Sequence, residues 1–286
     1  MALVTPMKPN GDVDYPSLGK LIDWHLESDT DGLVVLGTTG EASTIEPEER
    51  SKIISHTVDQ VKGRIPVIIG TGANSTRHAI ALTQQAMELG ADAALLVTPY
   101  YNKPTQEGLF QHYSAVANAV PLPQILYNIP SRTGCDLLPQ TVLRLSKIVN
   151  VVGIKEGTGD ITRVKQIKAG CEDDFDLLSG DDKTAMEFML AGGVGVISVV
   201  ANIMPKEFHL FCAATIANKI DLAKQYNNKM SALYSALFVE SNPIPTKWVL
   251  EKMGKIPGGI RLPLTPLSST CYGDVKNALR NTGIQI

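Results

Sequence analysis

Val151-Val152-Gly153-Ile154-Lys155-Glu156-Gly157-Thr158-Gly159-Asp160 is the stretch whose reading decides the fold of this chain. Apolar or small residues run into a lysine, and a glycine-rich turn follows. A short continuous run of this kind is the pattern of a strand buried on both faces in a parallel sheet. Side chains alternate along a strand, so Lys155 points the same way as Gly153 and Val151, with Gly153 leaving room beside it. An ammonium at such a strand end is costly unless it is paired or neutralised. Desolvation favours the neutral form of an amine, and a neutral amine is a nucleophile. A strand-end lysine can also snorkel to solvent with no chemical role. The other strand ends separate these two readings.

The same unit recurs on both sides: an apolar run, a polar or glycine-rich turn, then a helical period. Downstream, residues 175–179 lead into Gly180-Asp181-Asp182, and residues 194–199 lead into Ala201-Asn202. Upstream, residues 124–128 precede Ile129-Pro130-Ser131-Arg132-Thr133-Gly134, and residues 93–97 precede Thr98-Pro99-Tyr100-Tyr101-Asn102. Residues 65–70 run into Thr71-Gly72-Ala73-Asn74, and residues 32–36 into Gly37-Thr38-Thr39-Gly40-Glu41. Leu3-Val4-Thr5 opens the series against the very first residue, so as a barrel strand it has lost its first half or starts upstream. Helical periods over 15–27, 47–61, 75–89, 105–119, 138–146, 161–169 and 184–190 lie between the runs.

Strict alternation of strand and helix predicts a parallel sheet. Eight repeats predict its closure into an α/β fold of the (β/α)8, or TIM barrel, type. A spacing of roughly 25–30 residues per repeat favours that closure over an open doubly wound sheet. Beyond Asn202 the short buried runs stop. Residues 204–217, 222–238, 243–253 and 271–282 read as helices, with Pro263 and Pro266 marking a turn between the last two. The expected organisation is a barrel catalytic domain over 1–220 and a C-terminal helical appendage over 221–286.

Composition narrows the function. The 286 residues carry 44% hydrophobic and 19% charged side chains and a net charge of −3, with no basic block. Neither a nucleic acid nor an anionic membrane is signalled as a partner. No apolar run approaches the roughly 20 residues of a membrane helix, and the N-terminal apolar stretch is too short for a signal peptide. The cysteines at 135, 171, 212 and 271 form neither a CxxC motif nor a Cys/His cluster. Reduced thiols in the cytoplasm are the simplest reading.

In a barrel the C-terminal strand ends share one mouth, where the site lies. The strand ends bring Thr38 and Thr39, Asn74, Tyr100 and Tyr101, Tyr127 with Arg132, Lys155 and Asp181. Lys155 can attack a ketone to form a Schiff base. Tyr127 is in phase with Ile125 and can pass protons, or simply pack. Arg132 offers a planar fork suited to a carboxylate, or a solvated loop residue. Thr38-Thr39, between glycines, can present hydroxyls and amides to an anion, and the glycines also suit a turn needing positive φ. Gly70-Thr71-Gly72 lacks the third glycine of a dinucleotide fingerprint. Asp181-Asp182 reads as a helix N-cap. All five histidines fall on predicted helices without ligand spacing, so no metal centre is expected.

Gly37-Thr38-Thr39-Gly40-Glu41, Tyr127-Asn128-Ile129-Pro130-Ser131-Arg132-Thr133-Gly134, Gly153-Ile154-Lys155-Glu156 and Leu178-Ser179-Gly180-Asp181-Asp182 together resemble the signatures of the dihydrodipicolinate synthase family. That family lies within the Schiff-base pyruvate lyases and aldolases related to N-acetylneuraminate lyase. Gly195-Val196-Ile197-Ser198, Asn242-Pro243-Ile244-Pro245 and Leu262-Pro263-Leu264-Thr265-Pro266 extend the resemblance over almost the whole chain. The resemblance implies condensation of pyruvate with L-aspartate 4-semialdehyde, at the entry to the diaminopimelate and lysine branch, without a cofactor or metal. It implies that Lys155 forms the imine and that Tyr127 relays protons. Thr38 links Tyr127 to Tyr101, the latter supplied by a neighbouring subunit. Thr39 and its backbone hold the pyruvate carboxylate, Arg132 holds that of the semialdehyde, and the main chain of Ile197 and Gly180 lines the site. The resemblance also implies a homotetramer built from tight dimers, and several more residues ahead of Ala2 in relatives.

Feedback by lysine is a separate expectation. Asn74 and Tyr100 match the inhibitor site of lysine-sensitive relatives, but Arg50 and His78 stand where those carry a histidine and a glutamate. Losing the acid that would receive the ligand's ammonium predicts weak or absent inhibition. Two other functions compete. A sister lyase or dehydratase acting on a sugar acid would need hydroxyl partners where Arg132 stands. A non-catalytic ketoacid sensor would not need every catalytic position filled.

Overall fold

The computed structural model describes Met1–Ile286. The chain divides into two compact units, one of Met1–Ile65 with Ser198–Ile286 and one of Pro66–Ile197. The strands are β1 (Leu33–Val35), β2 (Val67–Gly70), β3 (Ala93–Val97), β4 (Gln124–Asn128), β5 (Val151–Glu156), β6 (Asp176–Ser179) and β7 (Gly195–Val196). The helices are α1 (Tyr15–Glu27), α2 (Pro47–Val61), α3 (Thr76–Glu88), α4 (Gln106–Ala119), α5 (Pro130–Thr133), α6 (Pro139–Leu145), α7 (Ile161–Lys168), α8 (Ala185–Leu190), α9 (Pro205–Ile216), α10 (Ile220–Ala236), α11 (Ile244–Lys252) and α12 (Tyr272–Thr282).

In the unit of Pro66–Ile197, β2 to β7 lie side by side in chain order, every neighbour parallel. Each is joined to the next through at least one helix, the connection a parallel pair requires. β4 is buried along its whole length, with apolar Ile125, Leu126 and Tyr127 between the buried polar residues Gln124 and Asn128. Register at the C-terminal ends matters most: Tyr127 pairs with Lys155 and Asn128 with Glu156. Lys155 and Glu156 in turn pair with Leu178 and Ser179. The intervening helices start on local caps. Thr105 accepts from Gly108 N at 3.2 Å ahead of α4, and Asp160 accepts from Thr162 N at 2.9 Å ahead of α7.

In the other unit, the first residues form a parallel bridge to β1 at Ala2 and Val34. Val34 N donates to Met1 O at 2.8 Å and Leu3 N to Val34 O at 2.9 Å. On the opposite side Ala2 N donates to Ser198 O at 2.9 Å. Asn202 stitches the same edge, with Nδ2 donating to Ala2 O at 2.7 Å and Val4 N donating to Oδ1 at 3.2 Å. The segment thus lies between β1 and the stretch from Ser198 to Asn202. It is a single bridge at Ala2 rather than the strand expected over Leu3-Val4-Thr5. Pro6 follows directly and has no N–H to extend a ladder.

Alternating strands and helices in this order are the expected (β/α)8 barrel, and helices α10 to α12 follow as a C-terminal helical segment. There α10 packs on α9 and α12. No helix is long and apolar enough to cross a membrane. A second element also differs from expectation. The Pro130–Gly134 turn is a single α-helical turn, α5, with Pro130 in its first turn and Gly134 at φ 67° as C-cap. A proline start and glycine stop suit one helical turn as well as a loop.

Candidate active site

Lys155 is the penultimate residue of β5 and is 6% exposed; Tyr127 is the penultimate residue of β4 and is 7% exposed. In-register pairing brings them to the same face, and Lys155 Nζ lies 4.1 Å from the centroid of the Tyr127 ring. At that distance the ring face attracts a cation and shields the amine from water. Two glycines give these side chains room. A Cβ on Gly180 would stand 3.1 Å from Lys155 Cε and 3.0 Å from Gly157 Cα. A Cβ on Gly157 would stand 2.9 Å from Asn128 O and 3.5 Å from Tyr127 Cε2. Gly153 leaves room as expected, but for a different neighbour. Its Cβ would meet Asp176 O at 2.6 Å, so it serves the close approach of β6 rather than the lysine.

The backbone around the amine is pinned. Gly180 N donates to Glu156 O at 2.7 Å, Gly157 N to Asn128 O at 2.8 Å, and Ile197 N to Ser179 O at 2.9 Å. Ile197 is buried. Asp181 Oδ2 accepts from Thr184 N at 3.0 Å and Thr184 Oγ1 at 2.6 Å, so it braces the turn ahead of α8, whose N-cap is Thr184 rather than the expected Asp181-Asp182.

Arg132 is exposed on α5. The helix beneath it is held by Thr133, whose Oγ1 donates to Cys135 O at 2.9 Å and accepts from Thr98 Oγ1 at 3.1 Å. Thr133 O in turn accepts from Tyr101 N at 3.3 Å. Tyr101 has φ 76° and is 89% exposed. A left-handed conformation is unfavourable for a bulky side chain, and this one sends an aromatic ring into solvent.

Sequence reasoning missed a polar network around the next residues along both strands. Asn128 Nδ2 donates to Asp136 Oδ1 at 2.9 Å and to Glu156 Oε2 at 3.1 Å, while Asn128 Oδ1 accepts from Leu137 N at 2.9 Å. Glu156 is buried and Oε1 accepts from Thr158 N at 2.8 Å. Arg163, on α7, forks onto Asp136 at 2.9 and 2.5 Å, with Nη1 3.7 Å from Glu156 Oε2. Burial acts to raise the Asp136 carboxyl, but hydrogen bonds from Arg163 and Asn128 outweigh it and hold its pKa below the ordinary value. The only sequence signal was the position of Asn128 and Glu156, one residue past Tyr127 and Lys155.

In the first unit, Thr38 and Thr39 follow β1 in a turn flanked by Leu36 at φ 58° and Glu41 at φ 55°. Thr38 is half-buried and Thr39 buried. Thr39 Oγ1 accepts from Asn242 Nδ2 at 2.9 Å, which leaves its hydroxyl hydrogen for another acceptor. The turn is anchored by Thr5 Oγ1, donating to Gly40 O at 2.7 Å, and by a buried ion pair between Glu41 and Lys247 of α11. Burial, opposed by Glu41, lowers the Lys247 pKa. Arg261 donates its backbone N–H to Glu41 Oε2 at 3.4 Å and forks onto Glu49 at 2.6 and 2.5 Å. The structure therefore brings Lys155, Tyr127 and Gly180 together within one unit, and carries Thr38 and Thr39 on a braced turn of the other.

The residues matched to an inhibitor site are placed as follows. Arg50 is buried on α2, and burial lowers its pKa to about 10. His78 is exposed on α3 and Tyr100 is exposed beyond β3. Asn74 O accepts from Asn102 Nδ2 at 2.8 Å.

Fold and site define the class first: a (β/α)8-barrel lyase with an amine at a strand end. The chain belongs to the dihydrodipicolinate synthetase family, whose model matches residues 1–282. It is 65% identical over 285 residues to the 4-hydroxy-tetrahydrodipicolinate synthase of Coxiella burnetii, covering 100% of this chain and 98% of that protein. It is 55% identical over 284 residues to the synthase of Pseudomonas aeruginosa, covering 99% and 97%. The chloride-inhibited dihydrodipicolinate synthase of Acinetobacter baumannii, solved in complex with pyruvate, superposes with a TM-score of 0.97 at 55% identity, covering 99% of this chain and 98% of that one.

Proposed function

We propose that this protein condenses pyruvate with L-aspartate 4-semialdehyde, the reaction of a 4-hydroxy-tetrahydrodipicolinate synthase, through an imine on Lys155. The observation that carries this reading is the buried Lys155 amine 4.1 Å from the Tyr127 ring, at the ends of two strands in register. The amine lone pair adds to the ketone carbon of pyruvate, and loss of water leaves an iminium. The cationic nitrogen takes up the electron pair when the methyl group releases a proton. The enamine so formed attacks the aldehyde carbon, which becomes a hydroxyl-bearing carbon, and the iminium is regenerated. The semialdehyde's own amino group then adds to the iminium carbon, closing the ring and expelling the Lys155 amine. Tyr127 carries protons to and from the carbinolamine. Thr39 binds the pyruvate carboxylate with its hydroxyl and backbone. The exposed Arg132 receives the semialdehyde carboxylate as a planar fork, and the main chain of Ile197 and Gly180 lines the site.

Thr38 and Tyr101 complete the proton path, with Tyr101 supplied by a second copy of the chain. Its 89% exposure and left-handed backbone support that role. The assembly is a homotetramer of tight dimers in the cytoplasm, with catalysis in residues 1–220 and a helical domain over 221–286. Asn74, Tyr100, Arg50 and His78 do not make an effective lysine site, because the acid that would receive the ligand's ammonium is replaced. Millimolar or tighter lysine inhibition in a steady-state assay would contradict that.

Borohydride reduction in the presence of pyruvate tests the central step. The intact chain should carry a reduced adduct on Lys155, mapped by peptide mass spectrometry, and Lys155→Ala should carry none. Absence of the adduct in the intact chain, or no turnover of the two substrates in a coupled assay, would overturn the reading.

A further inference from the structure

We propose that Asn128 and Glu156 are positioning residues for the imine-forming pair, acting as a clamp on the opposite face of β4 and β5. This rests on the reaction assigned above. Strand alternation sends Tyr127 and Lys155 to one face and their successors to the other. The successors are themselves paired across the two strands. Their side chains join directly, Asn128 Nδ2 to Glu156 at 3.1 and 3.4 Å. A parallel pair has slanted, evenly spaced ladder bonds, and its last residues have few of them to hold register. The clamp adds a side-chain bond at that end, one residue from each reacting group.

Each clamp residue is fixed in turn from beyond the strands. Asn128 is gripped by the segment after α5, through Asp136 Oδ1 at 2.9 Å and Leu137 N at 2.9 Å. Glu156 is gripped by its own turn, through Thr158 N at 2.8 Å. Arg163 ties the two together from α7, bonding both Asp136 oxygens and standing 3.7 Å from Glu156. Two carboxylates share one guanidinium, and the Asn128 amide is the donor between them. A buried network of this kind is rigid only while each member has its partner. Loss of the amide sets the carboxylates against each other and splays the strand ends that carry Lys155 and Tyr127.

Asn128→Asp removes the donor while keeping the shape and the acceptor for Leu137 N–H. Misplacing a reacting group by about 1 Å can cost about 100-fold in rate. The expected result is a loss of roughly 30-fold or more in kcat and in the rate of borohydride-trapped adduct at saturating pyruvate, with the pyruvate KM changed by less than about threefold. Adding Glu156→Gln restores an N–H···O bond with donor and acceptor exchanged, and the double variant should recover at least about fivefold of the lost rate. All rates are read well below each variant's melting midpoint.

Asn128→Asp with near-native trapping and kcat, or a double variant no faster than the single one, overturns the proposal. If Asn128→Asp does not fold, Glu156→Gln decides. A kcat loss of roughly threefold or more at unchanged pyruvate KM supports the clamp, and a smaller loss refutes it. The intact chain is the control: no adduct on it would overturn the assigned reaction and the clamp together, whereas a normal adduct on both proteins sinks only the clamp.

Discussion

Replacing Lys247 by methionine tests how the turn carrying Thr38 and Thr39 is held. Lys247 and Glu41 are both buried, and the lysine ammonium bonds Glu41 Oε1. The other carboxylate oxygen receives one long backbone bond, from Arg261 N at 3.4 Å. Methionine keeps most of the stem volume and removes the charge, leaving a buried carboxylate with that single bond. Breaking a buried pair from one side costs about 3–5 kcal/mol. Unfolding entropy of about 2.1 cal/mol/K per residue over 286 residues amounts to about 0.6 kcal/mol per degree. The melting midpoint should therefore fall by roughly 5–8 °C. Glu41→Leu combined with Lys247→Met removes both charges and should be near-neutral or better. Melts followed by circular dichroism measure all three proteins. A single variant melting within about one degree of the parent, or a double variant as unstable as the single one, would refute the argument.

The remaining predictions concern acid stability and the glycines beside the amine. Burial foremost, then the N-terminal ammonium and Lys255, lowers the His25 pKa to about 3, and burial lowers that of His112 to about 4, from an ordinary value of 6.5. Below that ordinary value the unfolded chain takes up protons that the folded chain refuses, so stability should fall with pH by about 1.4 kcal/mol per unit for each group; His25→Gln should lose one proton's worth of that slope in denaturant titrations. Gly180→Ala places a methyl 3.1 Å from Lys155 Cε and 3.0 Å from Gly157 Cα, and should slow adduct formation by about tenfold in protein that still folds. Gly153→Ala drives a methyl to 2.6 Å from Asp176 O and should cost about 1–3 kcal/mol of stability while the folded protein still traps pyruvate.

The strand ends were legible because period-two alternation is local. Once β4 and β5 are strands, Tyr127 and Lys155 must share a phase with Ile125 and Gly153, and the structure pairs them in register. What escaped the sequence depends on partners far along the chain. Gly153 reads as space beside a lysine until β6 is found against it at Asp176. Glu41 reads as the end of a glycine turn until Lys247, 206 residues away, is found on its carboxylate. The opening strand is reduced to a bridge because its side-chain stitch comes from Asn202, 200 residues on. No spacing rule announces such contacts. The helical turn α5 escaped for another reason: its proline and glycine are equally the marks of a loop and of a one-turn helix.

Alternation also accounts for an apparent conflict in the quoted run, a carboxylate placed directly after the reactive lysine. On the same face, Glu156 would pair with the Lys155 amine and occupy the group that must add to a ketone. One residue of strand reverses the direction, and Glu156 spends its acceptors on Asn128, Thr158 and Arg163 instead. Lys155 is left against an aromatic ring instead of a carboxylate. The two faces of one strand end thus separate reactivity from anchorage at a spacing of a single residue. A substitution at Glu156 should then look catalytic in a rate assay although its carboxylate never meets the substrate, and only the exchange of donor and acceptor with Asn128 distinguishes the two.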